Sequence, residues 1–345
     1  MSPSTPTGIW TDLDLDAEGK QFGYFRLPLA VHDRSGDDVG YNFEAISVVT
    51  IRNGEGPGVL LMAGNHGNEY EGQIILMKLI RKLRAENVRG RIIILPGANA
   101  PAVRSDRRNS PLDDGNLNRH FPGDPEGGPT SMIAHLIESE LLTRVDYAFD
   151  LHSGSLSIEY LPCAVVARPS DPDRMNDALD LLRVFGMPTG MIIEHSTGGD
   201  RALIGACRRQ GVQHLSTELG GGGGVSRAAL EIAEHGVMRL LHHVGVTTKS
   251  LTERPPLDCR LLKRVQSRDY IYAEASERGL FEPFVDLGDR VEGGEAIGLI
   301  HFTTTPWREP QPVIAKSGGV ILCRRIPART GLGDCVFVLG EDWTL

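Results

Sequence analysis

Val59-Leu60-Leu61-Met62-Ala63-Gly64 runs directly into Asn65-His66-Gly67-Asn68-Glu69-Tyr70-Glu71-Gly72, and Ile75, Leu76, Leu79, Ile80 and Leu83 then recur at helical spacing over Glu69–Glu86. A short apolar run, a glycine-punctuated polar loop and an amphipathic helix are the strand, loop and helix of an α/β unit. Working outward, the same alternation continues. Upstream lie two β-rich stretches, Gly23–Leu29 and Glu44–Arg52, the second ending at an Asn53-Gly54 turn. Downstream come a strand at Arg91–Leu95, a long polar loop from Pro96 to Pro129, a helix around Ser131–Leu142 and a strand at Val145–Asp150. Strands at Cys163–Ala167, Gly190–Glu194 and Val212–Thr217 then interleave with helices at Asp171–Phe185, Arg201–Gln210 and Arg227–Val244. This order predicts an α/β fold, a doubly wound and mainly parallel sheet with helices on both faces and ligand sites at the carboxyl edge of its strands.

Helical periodicity stops at the polar stretch Thr252-Glu253-Arg254-Pro255-Pro256. Beyond it, short apolar runs separated by Gly- and Pro-containing turns predict a smaller all-β module. The expected organisation is an N-terminal arm over 1–22, a catalytic α/β domain over 23–250 and a β-rich domain over 251–345.

Of the 345 residues, 40% are hydrophobic and 23% charged, the balance of a soluble globular enzyme. No apolar run approaches the roughly 18 residues of a membrane span. The formal charge of −9 combines 36 basic with 45 acidic side chains. Scattering of the basic ones excludes a phosphate-tracking stripe, so no nucleic-acid partner is expected. The first residues lack the basic and apolar regions of a secretory signal, which favours the cytoplasm. Five cysteines without a Cys-x-x-Cys pair leave any metal to histidine and carboxylate ligands.

Four segments carry chemistry. His66 and Glu69 lie three residues apart where the chain leaves a strand, and His152, in Asp150-Leu151-His152-Ser153-Gly154, emerges at the end of another. Two imidazoles and one carboxylate with a fourth position open form a catalytic rather than a structural zinc set. Glu218, in Ser216-Thr217-Glu218-Leu219-Gly220, follows a third strand and suits the base that takes a proton from a metal-activated water. Its glycine run lacks the Gly-Lys-Ser/Thr of a phosphate cradle. The long loop, with Arg104, Arg107, Arg108, Asn118 and Arg119, concentrates guanidinium groups able to bind a carboxylate or an oxyanion. Each of the other histidines, including His120, His195, His214, His242 and His243, reads better as a surface or core residue.

Together these segments resemble the succinylglutamate desuccinylase/aspartoacylase family of the zinc carboxypeptidase superfamily, over roughly residues 40–340. The resemblance implies one zinc per chain on His66, Glu69 and His152, with Glu218 as general base. It further implies that Arg108 polarises the scissile carbonyl and that Asn118 and Arg119 hold the substrate carboxylate. Ser155 departs from the pattern, which places glycine after His152-Ser153-Gly154. The implied reaction removes an acyl group, acetyl above all, from a small N-acyl amino acid such as N-acetyl-L-2,4-diaminobutyrate. Glu194, at a strand end, is then the candidate for a side-chain ammonium. Arg208 and Arg209, before Glu218, would instead suit the second carboxylate of an acylaspartate or succinylglutamate. A noncatalytic zinc-containing binding protein is the alternative of a different class, and a homodimer the expected assembly. The C-terminal module resembles a lipoyl-type barrel-sandwich hybrid without a modifiable lysine at its hairpin, so a structural or site-walling role is expected.

Overall fold

The computed structural model describes residues 8–29, 42–169, 171–194 and 198–344. In chain order, β1 (Gly19–Pro28), β2 (Phe43–Asn53), β3 (Gly58–Ala63), α1 (Tyr70–Lys82) and β4 (Gly90–Leu95) precede a loop carrying α2 (Ala100–Arg104). There follow α3 (Pro129–Leu136), β5 (Tyr147–His152), β6 (Ile158–Tyr160), β7 (Cys163–Ala167), α4 (Pro172–Phe185), β8 (Thr189–Ile193), α5 (Leu203–Gln210), β9 (Gln213–Glu218) and α6 (Arg227–His243). The last third is all strand: β10 (Arg260–Arg264), β11 (Ile271–Tyr272), β12 (Gly279–Pro283), β13 (Arg290–Val291), β14 (Ala296–His301), β15 (Gln311–Ile314), β16 (Gly319–Arg325), β17 (Arg329–Thr330) and β18 (Cys335–Asp342).

Strand β3 is apolar throughout because both its faces are covered. Val59, Leu61 and Ala63 join a core with α1, α4 and α6, whereas Leu60 and Met62 join a second core with α3 and α5. Burying each such Leu or Val contributes about 1.5–3 kcal/mol. Helix ends follow local chemistry. Ser226 caps α6 by accepting from the Ala229 N–H at 3.2 Å, and Gly211 ends α5 at φ +73°.

The main sheet runs β1-β2-β4-β3-β5-β9-β7-β8-β10-β18-β16-β13. Strands β4, β3, β5 and β9 form one parallel block and β7, β8 and β10 another, joined by an antiparallel β9/β7 contact. The sheet is therefore mixed, with its parallel pairing concentrated where the sequence places it. A separate antiparallel sheet, β15-β14-β12-β17, closes the C-terminal module around Phe281, Ile300, Ile321 and Phe337.

Two parts of the chain differ from the sequence reading. Within the span read as an arm, of which residues 8–22 are described, Ile9 is fully buried against β1, Trp10 bridges to Arg26 and β1 itself begins at Gly19. Strand β10 went unread because Arg260-Leu261-Leu262-Lys263-Arg264 is too charged for an apolar run, yet it pairs with β8 and β18 and carries the sheet into the C-terminal module. Among the described residues no helix is long and apolar enough to cross a membrane.

Candidate metal centre and substrate cavity

Adjacent parallel strands deliver the central side chains to one edge. His66 lies in the loop that leaves β3, His152 ends β5 and Glu218 ends β9, with His152 and Glu218 in direct register. Two glycines make the β3 loop possible. Gly64 adopts φ +68°, and a Cβ on Gly67 would lie 2.1 Å from the backbone of Ala102, so the loop packs against α2 as no other residue would allow.

Glu69 is the hub. Its Oε1 lies 2.8 Å from His66 Nδ1 and accepts from Ser155 Oγ at 2.7 Å and Arg108 Nη1 at 3.0 Å. Its Oε2 lies 2.7 Å from His152 Nδ1 and accepts from the Ser153 N–H at 3.2 Å. Burial acts to raise the Glu69 pKa, but His66 and His152 outweigh it and hold the carboxyl well below its ordinary range. Ligand atoms of His66, Glu69 and His152 all lie within 4.8 Å of one another. The far side of each imidazole is fixed as well. His152 Nε2 donates to Asp150 Oδ2 at 2.7 Å, and His66 Nε2 lies 3.2 Å from Asn116 Oδ1. Such outer partners set the ring tautomer and leave Nδ1 to face a cation.

Beside this group opens a cavity of about 400 Å³, lined by His66, Glu69, His152, Glu218, Arg108, Asn118 and Arg119 together, a volume suited to a small molecule. Glu218 retains some exposure as a residue, but its Oε2 is sealed and has no hydrogen-bond partner among the described residues. Burial, then the charge of Glu69, pushes its pKa up to about 8. Burial lowers the Arg119 pKa, and the charges of Arg108 and Arg201 add to the effect. Asn118 Oδ1 accepts from the Leu203 N–H at 2.9 Å, which orients the side chain.

The remaining sequence expectations divide. Glu194 does not line this cavity; it borders a second one and is held by Lys263 at 3.2 Å and Arg168 at 3.3 Å, so its charge is already answered. That corrects its assignment as an ammonium acceptor. Arg208 pairs with Asp200 and Arg209 with Glu138, which removes both from the first cavity. His120 bonds the Asn116 carbonyl and His242 lies 3.3 Å from the Thr247 carbonyl, in line with structural roles. His195 lies outside the described residues. His214, read as a core or surface residue, instead lines the cavity.

Several contributors escaped the sequence reading. Asp150 was signalled only by strand alternation, which puts it on the same face as His152. Ser155 adopts φ +55°, which explains the expectation of glycine, and its hydroxyl bonds both Glu69 and Arg108. The C-terminal module walls the cavity with Arg264, Tyr270, Tyr272, Cys323 and Phe337, residues with no recognisable pattern.

Residues 55–244 match the succinylglutamate desuccinylase/aspartoacylase catalytic domain. An N-alpha-acetyl-L-2,4-diaminobutyric acid deacetylase of Halomonas elongata is 36% identical over 336 residues, 97% of this chain and 96% of that one. The product-bound structure of the ectoine utilization protein EutE (DoeB) from Ruegeria pomeroyi is 33% identical, superposes with a TM-score of 0.88, and is matched over 96% of this chain and 98% of that one. A succinylglutamate desuccinylase/aspartoacylase from Rhodobacter sphaeroides gives 34% identity and a TM-score of 0.87 over 97% of this chain and 99% of its own. With sequence, fold and full-length coverage in agreement, the chain belongs to the succinylglutamate desuccinylase/aspartoacylase family of deacylases.

Proposed function

We propose that the chain is a zinc-dependent deacylase that hydrolyses the amide of a small N-acyl amino acid, foremost N-acetyl-L-2,4-diaminobutyrate, to acetate and the free amino acid. The observation that carries this reading is the Glu218 carboxylate, without a hydrogen-bond partner for its Oε2 among the described residues, beside the His66, Glu69 and His152 group in a cavity that also holds Arg108, Asn118 and Arg119. Names of the full-length relatives, a diaminobutyric acid deacetylase among them, support the substrate.

The donor set fits zinc: two imidazole Nδ1 atoms and a carboxylate oxygen, buried, each with an outer partner. Zinc held there supplies a Lewis acid and lowers the pKa of bound water toward about 7. Glu218 takes the proton of the attacking water and returns it to the leaving nitrogen. Arg108 polarises the scissile carbonyl and stabilises the developing oxyanion. Arg119 and the Asn118 amide hold the substrate carboxylate, so that binding energy becomes alignment.

A second reading, an N-acyl acidic amino acid, is favoured by Arg264, which lines the cavity and acts on Glu218. It loses the support of Arg208 and Arg209. Zinc-loaded protein assayed on N-acetyl-L-2,4-diaminobutyrate, N-acetylaspartate and N-succinylglutamate separates the two; we expect kcat/KM to favour the first by more than about tenfold, roughly 1.4 kcal/mol. Absence of hydrolysis of all three overturns the deacylase reading.

A further inference from the structure

Below the metal-binding group, the same face of the sheet carries polar atoms that have no partner among the described residues. Alternation along the strands places Asp150 one pleat below His152 on β5, and Ser216 and then His214 below Glu218 on β9. The register sets Asp150 beside Ser216 and Ala148 beside His214. Asp150, His214 and Ser216 all line the cavity. Asp150 Oδ2 is occupied by His152 and Asn65, but its Oδ1 is sealed and without a partner among the described residues. Both ring nitrogens of His214 are likewise sealed and partnerless. Burial pushes the His214 pKa down to about 4, so the ring is neutral at pH 7 and offers an acceptor nitrogen. Buried polar atoms are seldom left bare without reason.

The chemistry of this floor selects its ligand. A carboxylate oxygen, the bare nitrogen of a neutral imidazole and a hydroxyl oxygen all accept hydrogen bonds from an ammonium, and the carboxylate repels a second carboxylate. Its location fits the substrate as well. Leu203, whose N–H fixes Asn118, and Ile204 after it also line the cavity. The floor thus shares this cavity with Asn118 and Arg119, to which the substrate carboxylate is assigned, and begins one pleat below Glu218. In an N-acyl amino acid the carbon that joins the carboxylate to the scissile amide also bears the side chain. We propose that Asp150, His214 and Ser216 form an ammonium subsite that reads the side-chain amine of the substrate, a role that Glu194 cannot fill. This inference rests on the deacylase reading above and names the groups that make it selective.

The test compares N-acetyl-L-2,4-diaminobutyrate with N-acetyl-L-norvaline, which replaces the ammonium by a methyl group of similar size. Wild-type kcat/KM is expected to favour the ammonium substrate by roughly ten- to hundredfold, the range of a hydrogen bond to a charged group. His214→Leu should collapse that ratio, chiefly through KM of the ammonium substrate, with metal content retained. An unchanged ratio in the folded, metal-loaded variant overturns the proposal, as does a wild type that cleaves both substrates equally well. If His214→Leu fails to fold, Ser216→Ala and competitive inhibition of the wild type decide: L-2,4-diaminobutyrate should inhibit more tightly than L-norvaline, and equal inhibition overturns the subsite. Wild-type protein that cleaves neither compound overturns the deacylase reading, and this inference with it.

Discussion

Glu218 and Glu194 occupy equivalent places, each where a strand of the central sheet ends, yet they are opposite kinds of residue. Glu194 emerges at the end of β8 between Lys263 and Arg168, which draw its pKa down, Lys263 first. Glu218 ends β9 with a sealed oxygen that has no partner among the described residues, and burial raises its pKa to about 8. Strand position makes a carboxylate available; only the neighbours decide whether its charge is spent on a lysine or kept for a proton. Perturbed, unpaired groups in a cleft are where function concentrates.

The sharpest way to break this contrast is to neutralise both carboxylates. Glu218→Gln should retain zinc and lose turnover by roughly 10³-fold, within the range of general acid–base catalysis, and His66→Ala should lose metal and turnover together. Metal analysis with steady-state kinetics reads both, and near-normal turnover in Glu218→Gln would mean the base is misassigned. Next in size, Arg119→Ala should raise KM by roughly ten- to hundredfold with a smaller change in kcat, as expected for a lost charged hydrogen bond. Ser155→Ala removes the hydroxyl that holds Glu69 and should weaken zinc affinity by about tenfold, measured by competition with a chelator.

Stability should separate the two glutamates by sign. The folded-state pKa of Glu218 is raised, so its ionised form opposes folding: stability falls as pH rises from the ordinary carboxylate range through about 8. Glu218→Gln should therefore raise the melting temperature of metal-free protein by a few degrees at pH 8, with no gain near pH 4. Glu194 is shifted the other way, and its contribution is present above the unfolded value and lost as pH falls. Because its pairs are solvent-screened, Glu194→Gln should cost no more than about 1 kcal/mol at pH 7 and leave kcat/KM within roughly threefold. Thermal melts of both variants at the two pH values check the pair.

Much of the site was legible in the sequence because its residues announce themselves locally. The apolar run of β3 fixes the strand, the glycines fix the turn, and His66 and Glu69 follow at a spacing that one ion could bridge. His152 and Glu218 stand at strand ends for the same reason. What escaped detection depends on partners distant in the chain. Nothing around Glu194 foretells Lys263, 69 positions later by the numbering, and nothing around His214 reveals that its ring has no partner among the described residues. Strand β10 was hidden by its charges, and with it the link between the two halves. Ser155 stands out in the sequence as a departure, but its bond to Glu69 depends on the fold.

The passage of one continuous sheet from β8 through β10 into β18 has a consequence for biosynthesis. When a ribosome has extruded everything through α6, β8 still presents an unsatisfied backbone edge and the cavity lacks one wall. Such an edge is a template for unwanted association. Competence to bind substrate must therefore arrive late and all at once, after the final strand has threaded into place, so that premature termination anywhere in the last third leaves an aggregation-prone fragment rather than a slower catalyst.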